Sequence, residues 1–165
     1  MPSTPELWRG LTRLPFGTRL FSWGVCLRAP YFRSVRPHVV RLEPGRCEVV
    51  SRDRRAVRNH IGTFHAIAAC NVAEVAAGLL TEVSIPATHR WIPVGMRVRY
   101  LARAETGVRG VAVLDPLPEP GAEAEEWVVP VRILDTAGST AVTADITMRV
   151  SPRSGSAAKA AGPTS

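Results

Sequence analysis

The segment from Arg58 to Leu80 contains the residues of this chain that are best placed to do chemistry. It reads as a short turn followed by a helix that is apolar on almost every side, where the polar side chains are His65, Cys70, Asn71 and Glu74. A helix without a hydrophilic face is predicted to be buried. Burying a carboxylate is costly unless it is paired with a cation or takes part in the function of the protein. Glu74 is therefore the first candidate for a functional group.

Each of these polar residues also has an ordinary structural explanation. Glu74 could form a buried ion pair with an arginine, and Asn59 could close a turn through local hydrogen bonds. Gly62 suits a tight turn whatever the function. Asn71 lies three residues before Glu74 on the same helix face, so it could bond that carboxylate or a partner chain. Cys70 is typical of a small apolar filler, because no basic neighbour in the sequence would activate its thiol.

The composition predicts a single domain with a sizeable core, since the chain has 165 residues of which 45% are hydrophobic. The sequence has no run of about 18 apolar residues, so we expect no transmembrane helix. Arginines interrupt the N-terminal apolar stretches, which argues against a signal peptide. The three cysteines resemble neither a disulfide framework nor a zinc site, so we expect no metal and a cytoplasmic location.

The net charge of +7 is concentrated in the first third of the chain. Residues 1–58 carry 12 arginines against four acidic residues (+8), whereas residues 59–165 carry 9 basic and 10 acidic residues (−1). Such asymmetry suits an anionic partner, such as phosphate groups or a membrane surface. Nucleic acid is disfavoured, because the arginines are not interleaved with aromatic residues as in a stacking platform. A solvated basic face is the simplest explanation.

The two ends of the chain are predicted to lie outside the main domain. Residues 1–36 are expected to form an N-terminal helical extension, opened by a capping box between Ser3 and Glu6. This extension could pack on the domain or make a peripheral membrane contact; packing is favoured, because one short helix binds a membrane weakly. Residues 151–165 are rich in Ser, Ala, Gly and Pro and are expected to be a disordered tail.

Residues 37–150 are predicted to form the folded domain. Two apolar stretches flank Glu43-Pro44-Gly45-Arg46, where the central Pro and Gly indicate a type II turn and hence a hairpin. The apolar helix follows at residues 64–80. Residues 85–95 contain Pro86 and Pro93 and are predicted to be a loop.

Strand patterns occupy the rest of the domain. The clearest is the last, in which Val142, Ala144, Ile146, Met148 and Val150 alternate with polar residues. A long helix that is apolar on all sides needs a sheet wrapped around it. We therefore predict an α+β fold in which a curved antiparallel sheet encloses a long central helix.

The order of elements and one motif resemble the hotdog fold and, within it, the acyl-CoA thioesterases related to phenylacetate-degradation thioesterases. The motif is Asn59-x-x-Gly62-x-x-His65, followed nine residues later by Glu74. That branch has Asn-x-x-Gly-x-x-His-Gly-Gly, with a helical Asp or Glu at the same distance. The segment also resembles a hotdog branch described only as a domain of unknown function. The strands match over most of residues 37–150, but only the motif is specific.

The resemblance implies thioester hydrolysis at the start of the helix. The thioester carbonyl would lie at the N–H of Ala66, where the helix dipole favours a developing negative charge. Glu74 would act as general base on water or as nucleophile. Asn59 would help to hold the water or the carbonyl, and His65 would orient the site. Further residues expected at the substrate site are Gly62, Thr63, Asn71 and Trp91.

The resemblance and the helix geometry both imply a site shared by two chains. Nine residues of helix rotate by about 900° and rise by about 13.5 Å, so His65 and Glu74 of one chain cannot meet. In the resembled family the site lies at a dimer interface, and one subunit contributes the helix carboxylate. We expect a homodimer with two symmetric sites, alone or paired into a tetramer. The substrate would be a small-molecule acyl thioester, carried by coenzyme A or by an acyl carrier protein, with no cofactor.

The chain departs from the family where His-Gly-Gly is His65-Ala66-Ile67. Paired glycines allow a ligand to approach the backbone closely, and Ile67 could fill part of an acyl channel. A non-catalytic hotdog module that binds acyl or other apolar ligands is therefore the second hypothesis. A hotdog dehydratase or hydratase ranks last, because such enzymes arrange His and Asp differently. Trp91 could cover the acyl pocket, although hydrophobic packing is the simpler explanation.

Overall fold

A computed structural model of the chain describes residues 2–153. Its helices are α1 (Thr4–Leu11), α2 (Gly17–Arg28) and α3 (Ala66–Ser84), and two short 3-10 helices span Pro30–Ser34 and Arg55–Val57. The strands are β1 (His38–Glu43), β2 (Arg46–Ser51), β3 (His89–Tyr100), β4 (Val108–Val113), β5 (Glu125–Leu134) and β6 (Thr140–Pro152). They form one antiparallel sheet in the order β1-β2-β4-β5-β6-β3.

Helix α3 is the centre of the hydrophobic core, and the sheet curves around it. Eleven of its 19 residues are buried, and most of these are alanine or valine. Small side chains let the helix approach the strands closely: a Cβ on Gly110 of β4 would come within 2.9 Å of Val72. By length and composition α3 could cross a membrane, but most of it is buried inside the fold. The predicted α+β architecture around a central helix is confirmed.

The alternating pattern predicted for the last strand is confirmed. The apolar residues of β6 at positions 142, 144, 146, 148 and 150 are all buried. Residues directly opposite each other in neighbouring strands share a face of the sheet. In β3, Met96, Val98 and Tyr100 lie opposite the buried Ile146, Ala144 and Val142, so these three lie on the helix-facing side.

The loop predicted for residues 85–95 is largely wrong, because β3 begins at His89 and includes Pro93. Strand β3 lies at the edge of the sheet, pairing with β6 on one side. Its register shifts between Pro93 and Gly95. Proline is tolerated at such an irregularity in an edge strand, where one ladder hydrogen bond is dispensable. Only residues 85–88 connect α3 to β3.

The local predictions near the N-terminus are confirmed. The N–H of Ser3 donates to Glu6 Oε2 at 2.8 Å, as a capping box requires. Gly45 has a φ of +77°, the left-handed conformation of the third residue in a type II turn, and β1 and β2 form the hairpin.

Helix α2 packs on β1, with Phe21 buried and Ser22 Oγ accepting a hydrogen bond from the N–H of Val39 at 2.9 Å. Ser151 and Pro152, predicted to lie in the tail, belong to β6. Residues 154–165 of the predicted tail lie outside the described residues.

Candidate functional site

The loop that leads into α3 is closed by the side chain of Asn59. Its Oδ1 accepts hydrogen bonds from the N–H groups of Ile61 and Thr63 at 3.2 and 3.0 Å, and its Nδ2 donates to Thr63 Oγ1 at 2.8 Å. Gly62 supplies a φ of +84°, which glycine adopts without strain. Both ends of the Asn59 amide therefore bond within the loop, which is the structural alternative to substrate contact. Asn59, Gly62 and Thr63 act together to set where α3 begins.

His65 is the N-cap of α3. Its Nδ1 accepts a hydrogen bond from the N–H of Ile67 at 3.1 Å. Its backbone N–H donates to the carbonyl of Val57 at 2.7 Å. The side chain thus caps one of the free N–H groups of the helix start while its ring remains exposed.

The N–H of Ala66 is the first of α3 and has no hydrogen-bond acceptor within residues 2–153. The positive end of the helix dipole lies at this group. Ala66 is only half-buried, so an oxygen carrying negative charge could reach it. A free N–H at a helix start is one kind of donor that oxyanion holes use.

One stripe of α3 is left uncovered by the sheet. It contains Ile67, Cys70, Asn71 and Glu74, at the spacing that places residues on one helix face. Glu74 is half-buried and forms no ion pair or hydrogen bond within the described part of the chain. The alternative in which an arginine neutralises Glu74 is therefore not found among residues 2–153 of one chain. Asn71 does not bond Glu74 either.

Strand β3 runs alongside this stripe. Near its end, the hydroxyl of Tyr100 lies 3.5 Å from Cys70 Sγ. That hydrogen bond, and then burial, raise the pKa of Tyr100. Near its start, the indole of Trp91 lies against Gly78, one helical turn beyond Glu74. The Asn71–Glu74 segment therefore lies between two aromatic side chains of one strand.

Trp91 is packed on the helix, the simpler of the two explanations considered for it. Its Nε1 donates to Glu82 Oε2 at 2.6 Å, and Thr4 Oγ1 donates to the other oxygen, Oε1, at 3.0 Å. Trp91 thus forms a fixed wall at one end of the stripe.

The contribution of β3 to this face was missed from the sequence. Tyr100 and Met96 lie on its helix-facing side, and both remain exposed in the single chain. The signal was present, because the alternation of apolar residues and arginines along residues 96–103 puts Met96 and Tyr100 on the same face as Val98. The pattern could not show that β3 lies at the edge of the sheet, beside α3.

His65 and Glu74 do not come together in one chain. His65 lies before the first turn of α3 and Glu74 lies nine residues later, about 13.5 Å along the axis and half a turn around it. Within residues 2–153, no group of three or more His, Cys, Asp or Glu side chains is placed to hold a metal ion.

The sequence matches the family described as a domain of unknown function (DUF4442) over residues 17–150. This range begins at the first residue of α2, so the family includes the second half of the predicted N-terminal extension. No curated protein matches the chain.

Solved structures share the fold. A crystal structure described as genomics APC5556 is 43% identical, with a TM-score of 0.80, and the match covers 91% of this chain and 99% of that chain. The Pseudomonas aeruginosa protein PA5026, described as of unknown function and a probable thioesterase, is 20% identical with a TM-score of 0.73, covering 85% and 97%. Thioesterase HI1161 from Haemophilus influenzae is 11% identical with a TM-score of 0.64, covering 74% and 82%. The chain belongs to the DUF4442 family, and its fold is the hotdog fold of thioesterase-like proteins.

Proposed function

We propose that the chain is an acyl thioesterase whose active site forms between two copies, with Glu74 as the catalytic carboxylate. The observation that carries this proposal is the environment of Glu74, a half-buried and unpaired carboxylate on the uncovered face of an otherwise buried helix. Such a group costs stability unless it has a use. The names of the hotdog relatives PA5026 and HI1161 support the same class of reaction.

The proposed dimer joins two β3 edges. This strand has 12 residues, pairs on one side only within the described chain, and exposes Ile92, Val94 and Met96. A long apolar edge strand is a template for pairing with another chain. A two-fold contact would bring the same edge of both copies together. It would also cover the stripe of α3 and bring Glu74 of one copy toward the helix start of the other.

In the proposed reaction, the thioester carbonyl accepts a hydrogen bond from the N–H of Ala66. Glu74 of the partner subunit takes a proton from water as the water oxygen attacks the carbonyl carbon. The negative charge that develops on the carbonyl oxygen is stabilised at the helix start. The carbon–sulfur bond then breaks, the thiolate takes up the proton, and a carboxylic acid and a thiol leave. Direct attack by the carboxylate, through an anhydride that water opens, is the alternative path.

The substrate is proposed to be an acyl thioester of coenzyme A or of an acyl carrier protein. Ile67 is 53% exposed beside Ala66, where the resembled branch has glycine, so it narrows the approach to the helix start. An acyl group that is unbranched next to the thioester is favoured over one that is branched there. The three cysteines are free thiols, which suits a cytoplasmic enzyme.

The test is thiol release from a panel of aliphatic and aromatic acyl-CoAs by the wild-type chain and Glu74→Gln. We expect the substitution to lower kcat by about a thousandfold while the fold is retained. Glu82→Gln is the matched control, because Glu82 lies on the same helix but is bonded to Thr4 and Trp91. Unchanged turnover in Glu74→Gln would contradict the mechanism.

A non-catalytic module that binds acyl ligands is the second candidate, and the Ala66-Ile67 pair is the observation that favours it. It predicts that acyl-CoAs raise the melting temperature without thiol release across the whole panel. Hydrolysis of any member by the wild-type chain, lost in Glu74→Gln, would reject it.

A further inference from the structure

Helix α2 has two apolar faces, and only one of them is covered. Its inner face contains the buried Phe21 and Cys26, and the helix packs on β1. Its outer face carries large apolar side chains at helical spacing within an arc of about 60°. We name this set the outer stripe: Leu20, Trp23 and Leu27 of the helix together with Phe16, the N-cap residue just before it; each is between 51% and 73% exposed. Tyr31 continues it just beyond the helix and is also exposed.

A positively charged cavity of about 560 Å³ adjoins this stripe. It is lined by five arginines from three segments, with no acidic residue among its lining residues. We name it the arginine basin: Arg19, Arg33, Arg36, Arg52 and Arg54. None of the five forms an ion pair within the described residues. Like charges gathered in one depression create a positive potential there, so the basin is suited to hold anions.

Burial and the positive charge of the basin both act on titratable groups that line it. His38 lines it, and burial followed by the charges of Arg19 and Arg52 lowers the pKa of its imidazole. Burial and the charge of Arg36 likewise lower the pKa of Arg54. Trp23 belongs to both the outer stripe and the lining of the basin, so the two features form one continuous surface.

We propose that this surface docks the protein on a membrane that contains anionic phospholipid, with the outer stripe in the boundary between headgroups and acyl chains and lipid phosphates in the arginine basin. Aromatic and leucine side chains beside arginines are what such a boundary accepts. A membrane occupies both features at once. A soluble phosphate would leave Leu20 and Leu27 in water, and binding to the charged backbone of a nucleic acid would not bury them either.

A second copy of the chain fits this surface less well. A two-fold contact presents the same patch to itself, so five arginines would face five arginines. The surface also lies beyond β1, at the edge of the sheet opposite β3. Docking through α2 therefore leaves both β3 and the uncovered stripe of α3 free, and this proposal stands independently of the proposed thioesterase.

The test is sedimentation of the full chain with vesicles of phosphatidylcholine, with or without phosphatidylserine. We expect binding only to the anionic vesicles and release as salt rises. Leu20→Gln with Leu27→Gln, and separately Arg33→Gln with Arg52→Gln, should each lower the vesicle partition coefficient by about tenfold or more. Val128→Gln and Arg132→Gln are matched controls, because both residues are exposed on β5 and should leave binding unchanged. Thermal melts of every variant confirm that it is folded.

Tryptophan fluorescence gives a second readout. Trp23 is 64% exposed, whereas the other three tryptophans are half-buried or buried. A blue shift on addition of anionic vesicles, absent in Trp23→Phe, is expected. Three results would overturn the proposal: no binding to anionic vesicles, unchanged binding by the leucine variant, or a smaller oligomer for that variant in light scattering. The first would leave a soluble phosphate as the ligand of the basin, the second would mean that charge alone holds the protein on the vesicle, and the third would assign the stripe to another copy.

Discussion

The indole of Trp91 lies against α3 at Gly78, so closely that a Cβ on that glycine would come within 2.8 Å of the ring. The indole cannot move away freely, because its Nε1 is bonded to Glu82 and Trp91 is paired with Val150 across β3 and β6. This contact fixes the start of the edge strand against the helix that carries Glu74.

Gly78→Ala is expected to destabilise the fold by about 1–3 kcal/mol, because the indole or the strand must shift to admit a methyl group. Urea unfolding measures this change. Gly24→Ala is the matched control, since that helical glycine has no atom within 4 Å of the added Cβ. The control should gain about 0.5–1 kcal/mol from helix propensity. Equal stability of the two variants would contradict the tight contact at Gly78.

Ala66→Pro is expected to lower thioesterase turnover by about a hundredfold or more while the fold is retained. Proline is favoured at the first position of a helix and removes only the N–H proposed to bind the oxyanion. The preceding residue, His65, already has the extended conformation that a following proline requires, with φ −65° and ψ 135°. Thiol release and a thermal melt together measure the effect. Wild-type turnover in a folded variant would remove Ala66 from the site.

Mixing Ala66→Pro with Glu74→Gln tests whether the site is shared between subunits. If it is, each heterodimer contains one intact site and one site with both defects. Random exchange should then restore about a quarter of the wild-type activity from two inactive variants. Light scattering on the same samples reports whether the species are dimers or tetramers. Absence of any recovery, with exchange demonstrated, would place both groups in one chain.

Asn59→Ala is expected to destabilise the protein by about 1–3 kcal/mol, because three hydrogen bonds of the loop before α3 are lost. Hydrogen exchange at Thr63 should speed up, since its N–H loses its acceptor. Asn71→Ala serves as the control, because the Asn71 side chain makes no hydrogen bond within residues 2–153 and its loss should change stability by less than about 0.5 kcal/mol. Unchanged exchange at Thr63 would argue that the loop is held by other contacts.

Glu48 predicts how stability depends on pH. Burial acts to raise the pKa of Glu48, but hydrogen bonds and charges from Arg46 and Arg109, both at 2.8 Å, outweigh it and hold the pKa below its ordinary value of 4.5. Because the pKa of Glu48 is lowered in the folded protein, the ion pairs stabilise the fold fully at every pH above 4.5. Their contribution is lost as pH falls from 4.5 through the lowered pKa.

Glu48→Gln should therefore lower the free energy of unfolding by about 1–2 kcal/mol at neutral pH and by little once the pH is below the lowered pKa of Glu48. The loss is modest because both arginines are themselves partly exposed. Urea midpoints measured across the range check this. Glu119→Gln, on an exposed loop, should leave the pH dependence as in the wild type. An equal loss at every pH would mean that packing, and not charge, explains the effect of Glu48.

Local features of the sequence determined the type of most elements. The Pro-Gly centre of the turn at residues 43–46, the Ser3–Glu6 capping box and the alternation along β6 each act through neighbours a few residues apart, so their structures follow from the sequence directly. The apolar composition of α3 likewise required a sheet around it, which predicted the α+β class. The hotdog fold was predicted from the resemblance of the element order and of the Asn59–Glu74 motif to that family.

The tertiary structure decided what lies beside each element. In the sequence Pro93 indicates a loop, but the structure places it in β3, an edge strand, where a missing N–H is tolerated. The amide of Asn59 bonds within its own loop, and Trp91 packs on Gly78, outcomes that the motif alone left open. The arginines of the basin come from separate segments, and only the packing of α2 beside the ends of β1 and β2 brings them together. Periodicity reports local conformation, whereas strand order and contacts between distant segments depend on how the whole chain excludes water from one core.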